Sequence, residues 1–518
     1  MTPHGSATLA ALARRILALA LLLAAASMLP GAGGADGARA QATTGAATGS
    51  GAGSLPATAE TITAAELESH VRALAHDSMR GRDTPSPELE EAARYVADRL
   101  QGFGVRPAVS DSFLQWYSIT TVEQGEDGEQ RAVLSGPDTE VELELGSDFV
   151  PMGVGPEAEA RGAIRLVRSL VSPGPSEGEI LAVPSGPKEL SSTLGKVRTA
   201  LDSSEAAGAL VAVDADEEMF GRLARFFGGE RTDIGQPDSL TTPVTLVRRG
   251  ALPEALSGSL ESGIAVPPGW TAELRSTARI RVERAMNTVG WIRGSDPELS
   301  DEYVIFTAHM DHVGVGPAVD GDSIYNGADD DATGVATILE VAEAFANADT
   351  PPRRSVVFMT VSGEEKGLLG SRWYAENPVF PLDRTVANLN MDMIGRNWND
   401  TVAAIGLEHS TLGSTTRRVA EEHPALGMHV VGDRWPGERL YFRSDHYNFA
   451  REGVPALFYF SGLHEDYHEP SDEAGEVEYR KTARIARLIY LTGLEVADAD
   501  ERPSWDPKAR ERIVGGGG

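Results

Sequence analysis

Apolar residues recur every three or four positions across two early stretches. Residues 62–75 predict one helix, with Thr63 as its N-cap three positions before Glu66. Residues 85–102 predict another, with Ala92, Tyr95, Val96 and Leu100 on one face. Weak strand patterns continue to about position 150. Residues 151–275 differ: they are rich in Gly and Pro, with short apolar runs at 163–167 and 209–213 and a helical period near 196–207. This change of character marks an inserted domain. From position 287 strands and helices alternate. The runs YVIFTA (303–308), SVVFMTV (355–361), VANLNM (386–391) and PALFY (455–459) fit buried strands. Residues 333–348, 411–422 and 479–496 carry helical periods. The pattern predicts an α/β fold, a mixed, mostly parallel central sheet flanked by helices, with a smaller β-rich inserted domain.

The amino-terminal 40 residues read as an address. Arg14 and Arg15 precede an apolar run at 16–29, and Ala38-Arg39-Ala40 stands before Gln41. A charged start, a short apolar run and an A-x-A site predict a secretory signal peptide and an exported mature chain; a retained membrane anchor is the alternative. Residues 41–60 predict a flexible leader and 499–518 a flexible tail. The main domain is then expected at 61–150 and 276–498, interrupted by 151–275. No other run approaches membrane-spanning length.

Composition narrows the chemistry. Hydrophobic residues make up 41% and charged residues 24% of 518, an ordinary globular balance. The net charge of -31 argues against nucleic acid and anionic lipid as partners, which need a basic footprint. The chain has no cysteine, which excludes disulfides, thiolate metal sites and cysteine nucleophiles. Any metal must be held by His, Asp or Glu.

The end of each predicted strand carries such residues, and in open α/β sheets ligands bind beyond the carboxyl ends of strands. YVIFTA is followed by His309, Asp311 and His312, then by Asp329-Asp330-Asp331 before the helix at 333. SVVFMTV leads to Glu364-Glu365, VANLNM runs into Asp392, and PALFY precedes His464, Tyr467 and His468. Each motif alone reads as a polar loop, a helix cap or a solvated turn. Together they place uncompensated negative charge at one edge of a sheet, which a divalent cation would relieve. Histidine with carboxylate and no thiolate suits zinc, with manganese and cobalt as alternatives.

The segments TAHMDHVG, YNGADDDATGVA, SGEEKGLLGS, NMDMIGR and RSDHYNFAREGVPALFYFSGLHEDYHEPSDE, with LAHDSMRGRDTPSPELEEAARYVADRL near the start, resemble the secreted dizinc aminopeptidases related to aminopeptidase Y and the glutamate carboxypeptidases. The inserted segment resembles the protease-associated domain of such enzymes through EAAGALVAVDAD. The resemblance implies two zinc ions and peptide substrates. It implies that His309 and Asp392 hold one zinc, Glu365 and His468 the other, and Asp330 bridges them, with Asp329 and Asp331 as rival bridges. It implies a cis peptide between Asp330 and Asp331, Glu364 as general base, Asp311 as the acid orienting His309, and Tyr467 at the oxyanion. Arg443 and Asp445 fall where some relatives contact substrate. The activity implied is aminopeptidase. Alternatives are a carboxypeptidase, a one-zinc glutaminyl cyclase relative and a binding protein without catalysis.

Overall fold

The computed structural model describes residues 55–152, 157–167, 169–171, 174–235 and 242–514. The expected signal peptide and most of the leader lie outside the described residues. The chain forms two compact units: Ser118–Glu283, and the described residues up to Tyr117 joined with those from Arg284 onward.

The Ser118–Glu283 unit has a parallel sheet core. Strands Ile180–Ser185, Gly208–Val213 and Val244–Arg248 pair side by side in parallel, with Glu157–Leu166 beside the first. Helices Leu190–Ser204 and Glu217–Gly228 follow the first two. Val183, Val197, Val211, Phe220 and Leu223 share one apolar core, and Ile164, Val247, Trp270 and Leu274 another. The unit reaches beyond 151–275 on both sides because of long-range pairing. Residues 131–135 pair antiparallel with 271–275, and 119–122 with 231–234.

In the other unit, α1 (Ala64–Leu74) begins at Thr63, whose hydroxyl accepts from the Glu66 amide at 3.2 Å. Helix α2 (Pro87–Gly102) buries Leu89, Ala92, Ala93, Val96 and Leu100. The sheet uses the end of β1 (Thr271–Ile292), then β2 (Tyr303–His309), β3 (Ser355–Val361), β4 (Thr385–Met391), β5 (Thr401–Ile405) and β6 (Ala456–Phe460). In space the order is β1, β3, β2, β4, β6, β5. The middle four strands are parallel, and β1 and β5 flank them antiparallel. These middle four are the apolar runs read from the sequence. Each is buried along its whole length or nearly so, which explains their continuous rather than alternating apolar pattern.

Helix α3 (Thr333–Ala346) is buried on most of its circumference. Helix α4 (Leu369–Glu376), α5 (Thr411–Glu422) and α6 (Tyr479–Asp498) complete the unit. Phe306 on β2 sits among Phe345 of α3 and Phe358 of β3, with ring centroids 5.7 and 5.8 Å away. Helix α6 lies against it through Gly493, where a Cβ would fall 2.3 Å from the Phe306 ring. Parallel pairing has a functional consequence: it sends the carboxyl ends of β2, β3, β4 and β6 to one edge of the sheet. The register sets His309 opposite Val361, three residues before Glu364, and Thr307 opposite Asn390, two before Asp392.

Residues 499–514, expected to be a flexible tail, are structured. A helix at Pro507–Ile513 is capped by the Asp506 carboxylate, and the Trp505 indole donates to the Gly453 carbonyl at 2.8 Å. No helix among the described residues is long and apolar enough to cross a membrane.

Candidate metal centre

His309 closes β2 and is buried. Its Nδ1 lies 3.1 Å from the Asp311 main-chain oxygen. A carbonyl only accepts, so Nδ1 carries the proton and the Nε2 lone pair is free. That Nε2 stands 3.1 Å from Asp330 Oδ1 and 3.6 Å from Asp392 Oδ1. The Asp311 carboxylate, expected to orient His309, lies 3.9 Å from Nδ1. It instead accepts from the Thr84 hydroxyl at 3.0 Å and the Glu364 amide at 3.3 Å. The main chain of Asp311 orients the imidazole, and its side chain ties down the turn that carries Glu364.

The second oxygen of Asp330 faces the other way. Oδ2 is 3.3 Å from His468 Nε2 and 3.7 Å from His312 Nδ1. Glu365 lies beside both rings, with Oε2 3.1 Å from His468 Nε2 and Oε1 2.9 Å from His312 Nδ1. Three donor groups result among the described residues: His309, Asp330 and Asp392; His312, Asp330, Glu365 and His468; and His309, Glu364 and Glu365. Asp330 belongs to the first two. All five residues expected as ligands are therefore brought together, and His312 joins them. His312 had a sequence signal, three positions after His309 at the same strand end, but no role in the resemblance.

The neighbouring aspartates are otherwise engaged. Asp331 accepts from the amides of His309, Gly334 and Met393 at 3.2, 2.9 and 3.2 Å. Asp329 accepts from the Gly395 amide and the Thr333 hydroxyl and faces His464 Nε2 at 3.2 Å. Backbone demand thus singles out Asp330 among the three. The Asp330-Asp331 peptide is cis.

The charges are held from beneath. A hydrogen-bonded row runs from Thr307 to Asn390, to Ser444 and to Asp392 Oδ2, at 2.6, 2.8 and 2.8 Å. Buried Arg82, from the early RGRDTP segment, donates to the carbonyls of Leu74, Met310, Asn326 and Gly327. Those bonds fix the loops on either side of the donors. Burial brings its guanidinium down to about 10, and the acids around it oppose that shift.

Glu364 is only half-buried. Burial foremost, then the charges of Glu365, Asp445 and Asp392, raises its carboxyl well above the usual range, while His309 opposes this. Bound cations would pull it down again. Tyr467 stacks on His468 with ring centroids 3.9 Å apart, and burial raises its hydroxyl, so it stays protonated at neutral pH. Of the two residues expected to contact substrate, Arg443 is exposed and 3.4 Å from Glu438. Asp445 is closed off from solvent, with the Ser371 hydroxyl donating to it at 2.5 Å.

The donor types and their spacing fit divalent metal. With metal-ligand bonds near 2.0–2.1 Å, the edges of a tetrahedron are about 3.3 Å. The donor-to-donor distances of 2.9–3.7 Å scatter around that value.

Residues 287–492 match the sequence profile of Peptidase family M28. The chain is 24% identical over 213 residues to Aminopeptidase YwaD of Bacillus subtilis, covering 39% of this chain and 43% of that protein. It is 30% identical over 188 residues to Aminopeptidase NAALADL1 of Mus musculus, covering 35% of this chain and 23% of that one. A Probable leucine aminopeptidase of Arthroderma otae is 28% identical over 219 residues, covering 40% and 58%. The chain thus spans between 43% and 59% of the first curated relatives it matches. In fold it resembles an aminopeptidase from Aneurinibacillus sp. strain AM-1, with a TM-score of 0.53 at 18% identity over 87% of this chain and 97% of that one.

Proposed function

We propose that the protein is a zinc-dependent exopeptidase that hydrolyses the amino-terminal peptide bond of its substrates. The carrying observation is the Asp330 carboxylate shared between two His/carboxylate groups, with Glu364 beside both. His309, Asp330 and Asp392 would hold one zinc; Asp330, Glu365 and His468 the other. When bound, the metal pair supplies Lewis acidity toward a water and toward the scissile carbonyl.

The chain's own residues do the rest. Glu364 takes the proton of the attacking water and returns it to the leaving nitrogen, so it must stay free of the metals. The half-buried position lets water reach it, and the grip of Asp311 on its amide fixes where it points. The Tyr467 hydroxyl donates to the oxygen on which negative charge grows. Asp392 and Glu364 make the site attractive to a substrate ammonium, whereas Arg443 is exposed and paired with Glu438. That balance supports an aminopeptidase over a carboxypeptidase. The Ser118–Glu283 unit contains no histidine and is absent from all three donor groups. We assign it as a protease-associated-like insertion. The amino-terminal pattern supports export.

The test is a panel of aminoacyl, amino-blocked and carboxy-terminal chromogenic substrates, with and without chelator. Hydrolysis of free-amine substrates alone, lost in chelator and restored by zinc, is expected. Full turnover after prolonged chelation would overturn the metal mechanism. Preference for carboxy-terminal substrates would overturn the aminopeptidase assignment.

A further inference from the structure

His312 is fully buried, and neither ring nitrogen has a hydrogen-bond partner. Its Nδ1 is close to two acceptors, Glu365 Oε1 at 2.9 Å and Asp330 Oδ2 at 3.7 Å, yet is aligned with neither. A histidine that served only to hold Glu365 would point an N–H at its oxygen. The His468 Nε2 is similarly unaligned, 3.1 Å from Glu365 Oε2 and 3.3 Å from Asp330 Oδ2. The two rings meet nearly edge to face, at 74° with centroids 5.5 Å apart. Their nitrogens and the two carboxylates lie within 4.8 Å of one another. Two imidazole nitrogens and two carboxylates thus converge on one point, and the lone pair of Nδ1 has the same use there as that of His468 Nε2.

The backbone makes room for this ring. Gly327, at φ 58°, lies against it so closely that a Cβ would fall 2.5 Å from His312 Cγ and 2.6 Å from Cδ2. The same Cβ would fall 2.3 Å from the Asp330 main-chain oxygen, so a glycine here leaves room for both.

From this geometry we infer that His312 is itself a metal ligand, which makes the centre unequal: four protein donors on the His468 side and three on the His309 side. The inference rests on the metal reading above and adds an order to it. Four protein donors complete a tetrahedral zinc site, whereas three leave a position open. The His468 side therefore takes up zinc first and holds it more tightly. The His309 side fills second, exchanges more readily, and keeps the open position toward substrate.

The experiment titrates zinc into metal-free full-length protein against a chromophoric chelator. X-ray absorption is then recorded on the one-equivalent form of the wild type and of His312→Gln. Two separated binding steps are expected. The wild-type first site should show two imidazoles and the variant one, with the first step weakened at least tenfold and the second little changed. One imidazole in the wild-type one-equivalent form would overturn the inference while leaving a two-metal peptidase intact. Failure of the wild type to take up zinc at all would overturn both. The wild-type spectrum decides the matter even if the variant does not fold.

Discussion

Asp472 positions Asp330 through the main chain: its Oδ2 accepts from the Asp330 amide at 3.1 Å. The same carboxylate accepts from the Asp329 amide at 3.0 Å. The Asp330 side chain is thus aimed by a residue outside the donor groups. Asp472→Ala leaves two buried amides without a partner, at a cost of about 1–3 kcal/mol. Unfolding should occur several degrees lower, and zinc affinity should fall about 10- to 100-fold. Asp472→Asn, which keeps one acceptor oxygen, should lose less of both. Thermal unfolding and chelator competition measure the two effects; unchanged zinc affinity in the alanine variant would show that Asp330 is aimed by other contacts.

Adjacent glutamates carry separable duties. Glu364→Gln should lose about 10²–10⁴-fold in turnover, the contribution of a positioned base, while retaining two zinc ions per chain. Glu365→Gln should lose metal as well as turnover, because Glu365 faces both His312 and His468. Elemental analysis of the two purified variants distinguishes the roles. A reversed pattern would exchange them.

Tyr467→Phe keeps the stack on His468 and removes only the hydroxyl. Turnover should drop by about 10²–10³, the usual effect of deleting one oxyanion donor, with zinc content and folding unchanged. A rise in KM alone, with kcat preserved, would mean that the hydroxyl binds ground state and transition state alike and is no oxyanion donor.

His446 makes stability depend on pH. It is buried between the rings of Tyr441 and Phe458, and burial, with His409 nearby, lowers its pKa to about 3. The unfolded chain protonates this residue near pH 6.5. Between those values the unfolded state binds a proton that the native state refuses, so the native advantage is full above pH 6.5 and declines as pH falls. His446→Phe retains a ring and abolishes the linkage. Relative to this variant, metal-free wild type should lose up to about 1.4 kcal/mol of stability per pH unit below 6.5. Denaturant unfolding at pH 7, 6 and 5 checks the trend; parallel curves would mean that His446 is protonated in the fold.

Several features were open to reading because they depend on local pattern. Four strands buried on both faces leave uninterrupted apolar runs, and residues 303–308, 355–361, 386–391 and 455–459 are the middle of the sheet. Strand β1 was missed because its stretch at 279–284, Arg-Ile-Arg-Val-Glu-Arg, is mostly exposed and so carries no core-facing apolar run. The reach of the inserted unit beyond 151–275 was hidden for another reason: antiparallel partners about 140 residues apart leave no common mark in the chain.

By itself the sequence determined which residue types stand at the ends of the parallel strands, and with them the donor chemistry: histidine and carboxylate, no thiolate, a glutamate pair, a tyrosine before the last histidine. Those facts follow from order along the chain, since a strand end and the residue after it are neighbours in both sequence and space. Tertiary structure decided what each side chain faces. Three successive aspartates are equivalent in sequence. Only packing shows that Asp331 is taken by three amides, that Asp329 is taken by Gly395, Thr333 and His464, and that Asp330 is left to face histidines on both sides. The same holds for His312, brought against Glu365 by a loop closing over Gly327, and for Asp445, turned inward onto Ser371. Direction and burial arise from contacts between segments far apart in the chain, and the spacing of residues within one segment carries no record of them.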